Sequence, residues 1–558
     1  MRTPLAIYRL KDSHVDRLYS APNEALNKDA RKSGAHQRLS VDSQPDSPYA
    51  VTLFSVPKKP RAPKWVQFLA ALDPRAESMF AKSRPNAAVL IAVRKTPPQP
   101  AAYAITFGSG RFALDDSLLV RGFGLRTALS IIDPERLQNI GHVRIDFKTV
   151  LTNQQSVVRT AFHDFDFDTE SEMLGGVKGG VLKSVPSVWA GNVAGRDPLY
   201  LDPELTPATL SGFLDWVTST YAGKAYRTNY EWLDHVRHVS DGTLRDKLIG
   251  LCVAHLAGGT TSKRAKRRGK KGAPKGTAKV ELGLPESLPN NELARFSFGA
   301  SGPVTAPSTD LTIEDYVTFL KSRSLSRKRL ENDQVHVLRS DDTLIAKWKV
   351  LKCLSGTVTT GGKHYVVHAG DFYAFEPKFE RRIDQKLMGF SKTTGAPCPP
   401  WTAALADEAA YNKLLSTALP GSLLLDAKCL TTYRGRSKIE LCDVIDPASG
   451  GATMYFVKKY RGSAPISHLA AQAHVSCAAL VGDSDFRDDI GKRWPVLKPL
   501  VTTPPARGTW TARICIGTKK SARKLDKLPF FAKLTLSNRA THLSGLGFRV
   551  EVETFPVN

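Results

Sequence analysis

An aspartate and a lysine occupy strand positions whose neighbours are apolar, and together they suggest phosphodiester chemistry. In Lys438-Ile-Glu-Leu-Cys-Asp443-Val-Ile-Asp446, alternation places Ile439, Leu441, Asp443 and Ile445 on one face. In Met454-Tyr-Phe-Val-Lys458-Lys459-Tyr460 it groups Met454, Phe456, Lys458 and Tyr460. Burying one such charge without a partner costs several kcal/mol, on the order of the effective penalty per ion. A carboxylate on one strand and an ammonium on the next is what a metal-dependent phosphodiesterase core requires. The acid holds Mg²⁺, and the lysine positions water or neutralises charge at phosphorus. The plainer reading of the same residues is an ion pair at a sheet edge.

The elements that must position these groups follow a consistent order. A helical run over Glu408, Ala409, Tyr411, Leu414, Leu415 and Ala418 precedes three strand-like segments at 422–428, 438–446 and 454–460. A helix from Ser463 to Leu480 follows, then a strand at Ala512 to Ile516, a further helix, and a last strand at Phe548 to Val552. Helix, three strands, helix, strand is the αβββαβ order of a restriction-endonuclease-like core. Nucleases of that kind place a second acid two residues before the lysine, and here Phe456 stands there. Asp426, Glu440 and Glu408 are the pool for the missing metal ligand, beside Asp443. On the Ser463 helix, Ile466, Leu469, Ala473, Cys477 and Leu480 make a buried stripe, with His468 and Gln472 beside it. His468 and Gln472 are expected to face the strand ends as auxiliary catalytic groups, against a packing role for His468. His468, His474 and Cys477 do not form a metal-ligand spacing.

Composition sets the context. At 558 residues the chain exceeds one core. The 79 Lys plus Arg against 53 Asp plus Glu give a formal charge of +26, which points to a polyanionic partner, nucleic acid first and an anionic membrane surface a distant second, without distinguishing DNA from RNA. No apolar run is long enough to span a bilayer, and the N-terminus has no signal-peptide core, so a cytoplasmic protein without membrane contact is expected. Seven scattered cysteines with no Cys-x-x-Cys pair argue for a reducing compartment.

Composition shifts divide the chain into an N-terminal α+β domain (1–258), a basic linker (259–280), a β-rich middle unit (281–402) and a C-terminal nuclease-like domain (403–558). The class is thus α+β and α/β multidomain, with a mixed sheet at the N-terminus. The linker carries Lys263, Arg264, Lys266, Arg267, Arg268, Lys270 and Lys271 with no acid, and reads as a disordered phosphate-binding arm or a solvated spacer. Around Thr106-Phe-Gly108-Ser-Gly110-Arg111, a strand followed by glycines invites a phosphate loop, but without Gly-Lys-Ser/Thr tight-turn glycines explain it better. His163-Asp164-Phe-Asp166-Phe-Asp168 reads as a solvated strand face, with Phe165 and Phe167 inward, in preference to a cation site.

The chain resembles a sporadically distributed bacterial family of unknown function found among phage-defence and mobile genes. The likeness rests on Thr106-Phe-Gly-Ser-Gly-Arg111, Phe123-Gly-Leu-Arg-Thr-Ala-Leu129, Gly370-Asp-Phe-Tyr373, Ile439-Glu-Leu-Cys-Asp443, Phe456-Val-Lys-Lys-Tyr460, Ser467-His-Leu-Ala-Ala-Gln472 and Leu528-Pro-Phe-Phe-Ala-Lys533. The resemblance implies antiviral defence against foreign DNA, with partner proteins drawn from a defence locus; it brings no catalytic residue. The basic insertion after Gly258 departs from the family. The expectation is a nucleic-acid-binding defence protein with a divergent Mg²⁺-dependent nuclease core of the PD-(D/E)xK type. Its rivals are a catalytically inactive DNA- or RNA-binding sensor or partner subunit, and an RNA-directed toxin component.

Overall fold

The computed structural model describes residues 2–558 except 33–37, 42–46, 56–70, 72–86, 96–99, 145–149, 260–275, 286–293, 301, 322, 340–343, 426–429, 434–436, 461–462, 520–524, 526–527 and 529. The basic arm Lys263 to Lys271 and Asp426 therefore lie outside the described residues. The chain is a mixed α and β protein that divides into two compact units. The first comprises residues 1–143, 150–167 and 172–374, and the second 144–149, 168–171 and 375–558.

In the first unit ten strands form one sheet. They are β1 (Leu5–Leu10), β2 (Arg38–Val41), β3 (Tyr49–Ser55), β4 (Ala87–Arg94), β5 (Ala101–Gly108), β6 (Ile132–Arg144), β7 (Val150–Thr160), β8 (Glu172–Val181), β9 (Asn192–Gly195) and β10 (Leu199–Leu201). Their order is β2-β3-β4-β5-β1-β10-β9-β8-β6-β7. The expected hairpin forms, with Ala88 opposite Phe107 and Val93 opposite Ala102. One face buries Leu5, Ile7, Ile105, Val193, Leu199 and Leu201 beneath α1 (Phe123–Ile131) and α2 (Pro207–Gly223). Close approach is built in at Gly124, where a Cβ would lie 1.9 Å from the Pro198 carbonyl oxygen. Gly110 is similar, since its Cβ would meet the Ala88 oxygen at 2.2 Å. These two glycines serve packing, while Gly108, with a φ of 57°, takes the turn conformation that the tight-turn reading expects.

The unit continues with a five-stranded sheet, in the order Val236–His238, Asp371–Phe375, Lys363–His368, Leu354–Thr360, Thr277–Leu282. A three-stranded sheet of Arg295–Gly299, Gln334–Leu338 and Leu344–Lys349 lies in the same core as α3 (Gly242–Gly259). Gly361 and Gly362 both have positive φ (58° and 73°), as a two-residue hairpin turn between Thr360 and Lys363 requires. The next turn is Ala369-Gly370, because His368 pairs with Asp371, so it falls one residue before the expected Gly370-Asp371. Ala369 thereby takes a φ of 51°, a strained value for a residue with a side chain.

That turn presents Asp371 to a polar cluster. Arg121 contacts Asp197 at 2.6 Å and Asp371 at 3.0 Å, and Lys352 contacts Asp371 at 3.1 Å. Burial opposes ionisation of Asp371, but His238, Lys352 and Arg121 outweigh it and hold the carboxyl well below its usual range. Neighbouring His368 is pushed down to about 4, first by burial. Its folded pKa lies below the unfolded value near 6.5, so the unfolded chain binds the proton first as pH falls. Stability should therefore be full above about pH 6.5 and decline toward pH 4, by about 3 kcal/mol for a shift of this size. Urea titrations at pH 7, 5.5 and 4.5 should show this slope, flattened in His368→Leu. An equal slope in that variant would assign the effect to other groups.

Among the described residues no helix is long and apolar enough to cross a membrane. The described cysteines are all free and buried.

Candidate active site in the C-terminal unit

Five strands run across the second unit in chain order: β11 (Leu423–Leu424), β12 (Val444–Ala448), β13 (Gly451–Lys459), β14 (Thr511–Lys519) and β15 (Arg549–Val557). β12 is antiparallel to β13, while β13, β14 and β15 are mutually parallel. The helices that matter here are α4 (Pro377–Gly389), α5 (Glu408–Ala418), α6 (Ser463–Gly482) and α7 (Phe530–Gly545). One sheet face packs Met454, Phe456, Ile445 and Ile514 with Ile466, Leu469, Ala473 and Cys477 of α6 and with α7. The other packs Tyr455, Val457 and Cys515 under Tyr411 and Leu415 of α5. The α6 stripe and the alternation of Met454 and Phe456 thus follow the sequence pattern.

The expected second strand does not run straight. Ser437–Glu440 pairs with Leu430–Tyr433 as a separate hairpin, and the ladder of β12 begins at Val444. Ile439, Leu441 and Ile445 still face the α6 core, but Asp443 leaves their face. Its carboxylate Oδ2 accepts the Val457 N–H at 2.6 Å, and its own N–H donates to the Tyr455 carbonyl at 3.0 Å. β14 stays paired with β13 to Lys459, whereas β12 leaves it after Tyr455. Asp443 therefore supplies the acceptor that a continuing β12 would have offered, which explains how a buried carboxylate is tolerated here.

Two residues of α5 reach this opening. The Asp407 side chain caps the helix by accepting the Ala410 N–H, and Tyr411 fixes its roll by stacking between Trp401 and Phe555. Glu408 and Asn412, one turn apart, then face the same way. The Lys458 ammonium donates to Glu408 Oε2 at 2.5 Å, with both side chains about one-third exposed (34% and 35%). Buried Asn412 donates from Nδ2 to Asp443 Oδ1 at 3.3 Å. Glu408, Asn412, Asp443 and Lys458 thus sit around the point where β12 and β13 part.

The remaining candidates separate from that group. Gln472 donates to Glu440 Oε2 at 2.8 Å and Ser476 donates to the Glu440 carbonyl at 2.7 Å, so both bind Glu440 to α6. His468 is exposed on α6. Phe456 is fully buried, so the position where an acid was sought belongs to the core. In the acidic run after His163, Asp164 accepts from Thr160 and Asp168 from Ser171, while Phe165 is buried, in keeping with structural roles. That run contains a short 3₁₀ turn at Phe162–Asp164 where a strand was expected. Sequence reading missed Asn412; its one signal was the helical spacing of four from Glu408.

A second group gathers Cys398, Cys515 and Glu553, with donor atoms within 4.8 Å of one another. Glu553 is already paired with Arg513 Nε at 3.3 Å and accepts the Cys398 N–H at 2.8 Å. Burial, and then Cys398, push the Cys515 thiol well above its usual range. A guanidinium this close and a thiol held neutral suit packing better than cation binding.

Neither a curated protein nor a solved structure matches the chain. One family does, over residues 5–556, and its description is "Family of unknown function (DUF6119)". A match over nearly the whole length means that the chain belongs to that family.

Proposed function

We propose that the C-terminal unit is a divergent restriction-endonuclease-like core that cleaves phosphodiester bonds of foreign DNA with Mg²⁺. The carrying observation is the meeting of Glu408 with Lys458 beside Asp443, where β12 and β13 part. In this reading Glu408, from the helix, fills the role that Phe456 cannot. Glu408 and Asp443 are the carboxylates that would hold Mg²⁺, which supplies positive charge at the reacting phosphate. The fit is partial: Asp443 Oδ1 takes a long bond from Asn412, and a carboxylate oxygen has a further lone pair to offer a cation. Lys458, drawn from Glu408, orients water and neutralises charge on the phosphoryl oxygens. The net charge of +26 favours a polyanionic substrate. Antiviral defence and partner proteins enter through family context, and a cytoplasmic location through cysteine usage.

Two observations favour a second reading, a catalytically inactive nucleic-acid binder. Both Asp443 oxygens already serve the fold and Phe456 is wholly buried. Incubating the full chain with single- and double-stranded DNA and RNA, in Mg²⁺ or Mn²⁺ against chelator, separates the two. Cation-dependent cleavage of DNA is expected. Salt-dependent binding without cleavage under every metal would establish the binder.

A further inference from the structure

The first unit carries a feature that the nuclease reading does not use. Strand register places Lys178 opposite Ala194, Ala194 opposite Tyr200, Tyr200 opposite Ala6, and Ala6 opposite Thr106. Directly opposed residues share a face, so this row crosses β8, β9, β10, β1 and β5 on the side away from α1. The reverse side is filled with large apolar groups, whereas the row alternates small residues with Tyr200 and Lys178. A cavity of about 840 Å³ results, bounded also by Tyr8, Phe107 and Arg111. Tyr200 is 41% exposed on its rim.

The same side is rich in cations. Lys178 is exposed. Gly180, two residues on, lacks a side chain where Arg159 and Arg136 guanidinium atoms come within 3.2 Å of its would-be Cβ. Gly176, two residues before, is overlaid in the same way by Arg196 at 3.0 Å. Arg159 also donates to Asn192 at 2.9 Å, and the Arg111 guanidinium lies 5.2 Å from the Tyr8 ring centre. The acids nearby are engaged: Asp116 by Arg111 at 2.7 Å and Asp202 by Arg2 at 3.5 Å.

We infer that the part of this sheet face around Tyr200 binds single-stranded nucleic acid, with a base against the Tyr200 ring and the backbone along the Lys178, Arg159 and Arg136 side. A cationic track beside an exposed aromatic ring is what unpaired bases and phosphates require, and a floor of small residues lets the strand approach. A duplex hides its base faces and fits this surface less well. The site neither needs nor supplies cleavage, so it stands apart from the proposed chemistry.

The test is fluorescence anisotropy of the full chain with labelled dT8 and rU8 in chelator, using Tyr200→Ala, Lys178→Glu and the exposed control Lys363→Glu. Stacking on one ring is worth about 1–3 kcal/mol, so Tyr200→Ala should weaken dT8 binding by about 5-fold or more. Lys178→Glu should weaken it comparably and reduce the log–log salt slope by about 0.7 for each phosphate no longer neutralised. The control should bind as wild type does, and unlabelled single strands should compete better than duplex, dTMP or inorganic polyphosphate. Wild-type affinity in both cradle variants, or polyphosphate competing as well as the oligonucleotide, would overturn the inference. Melting curves on the same samples confirm that these exposed changes leave the fold intact.

Discussion

Replacing Arg513 by alanine should destabilise the C-terminal unit by about 3–5 kcal/mol, the cost of leaving buried charge without its partner. Arg513 is 0% exposed in β14. Its Nε lies 3.1 Å from Glu551 and 3.3 Å from Glu553, its Nη1 donates to the Ala396 carbonyl at 3.0 Å, and it sits 5.5 Å from the Tyr455 ring centre. The two glutamates also hold the 394–398 segment, Glu551 through the Thr394 N–H and hydroxyl and Glu553 through the Cys398 N–H. Removing the guanidinium strands two carboxylates and loosens that segment together. Hydrogen exchange resolved to β14, β15 and residues 394–398 is the suitable readout, since a two-unit protein need not melt in one step. Arg513→Met combined with Glu551→Gln and Glu553→Gln should recover part of the loss, because the stranded charges go as well. Unchanged protection in Arg513→Ala would mean that the network contributes nothing net.

The second large effect is at Asp443. Asp443→Ala leaves the Val457 N–H and the Asn412 amide without their acceptor in a buried place, a loss of about 2–5 kcal/mol. Asp443→Asn should cost distinctly less. Its single carbonyl oxygen can still accept from Val457, and its amide can donate to Asn412 Oδ1, which is buried without a hydrogen-bond partner among the described residues. Urea midpoints should therefore rank wild type, then Asn, then Ala. Equal values for the two variants would mean that Asn412 cannot adapt. Because Asp443 serves the fold this directly, lost activity in either variant does not by itself identify a catalytic group.

This is also where the sequence stopped being legible. Strand alternation located Met454 and Phe456 correctly, and helical spacing located the α6 stripe, because both follow from local periodicity. It put Asp443 on the face of Leu441 and Ile445 because it assumed an unbroken strand. The break exists since a side-chain oxygen, not a backbone carbonyl, satisfies Val457 at that step. No local pattern encodes that exchange. Glu408 was visible as one acid among three, and only the placement of α5 over the sheet brings it to Lys458. In the first unit the β4–β5 hairpin was readable, whereas the insertion of β1 between β5 and β10 joins it to segments about one hundred and about two hundred residues away. The cationic side of that sheet was hidden for the same reason: Lys178, Arg136 and Arg159 become neighbours only through register.

Glu408 and Lys458 give the cleanest test of the proposed chemistry, since each is about one-third exposed and their ion pair is worth about 0–1 kcal/mol. The decisive measurement is the Mg²⁺-dependent DNA cleavage rate and the melting temperature of wild type, Glu408→Gln and Lys458→Ala, on the same preparations. A rate loss of about 10²–10³-fold or more is expected in both variants, with nearly unchanged melting. Both variants cleaving at the wild-type rate, or a wild-type protein inert in every divalent metal, would contradict the proposed chemistry.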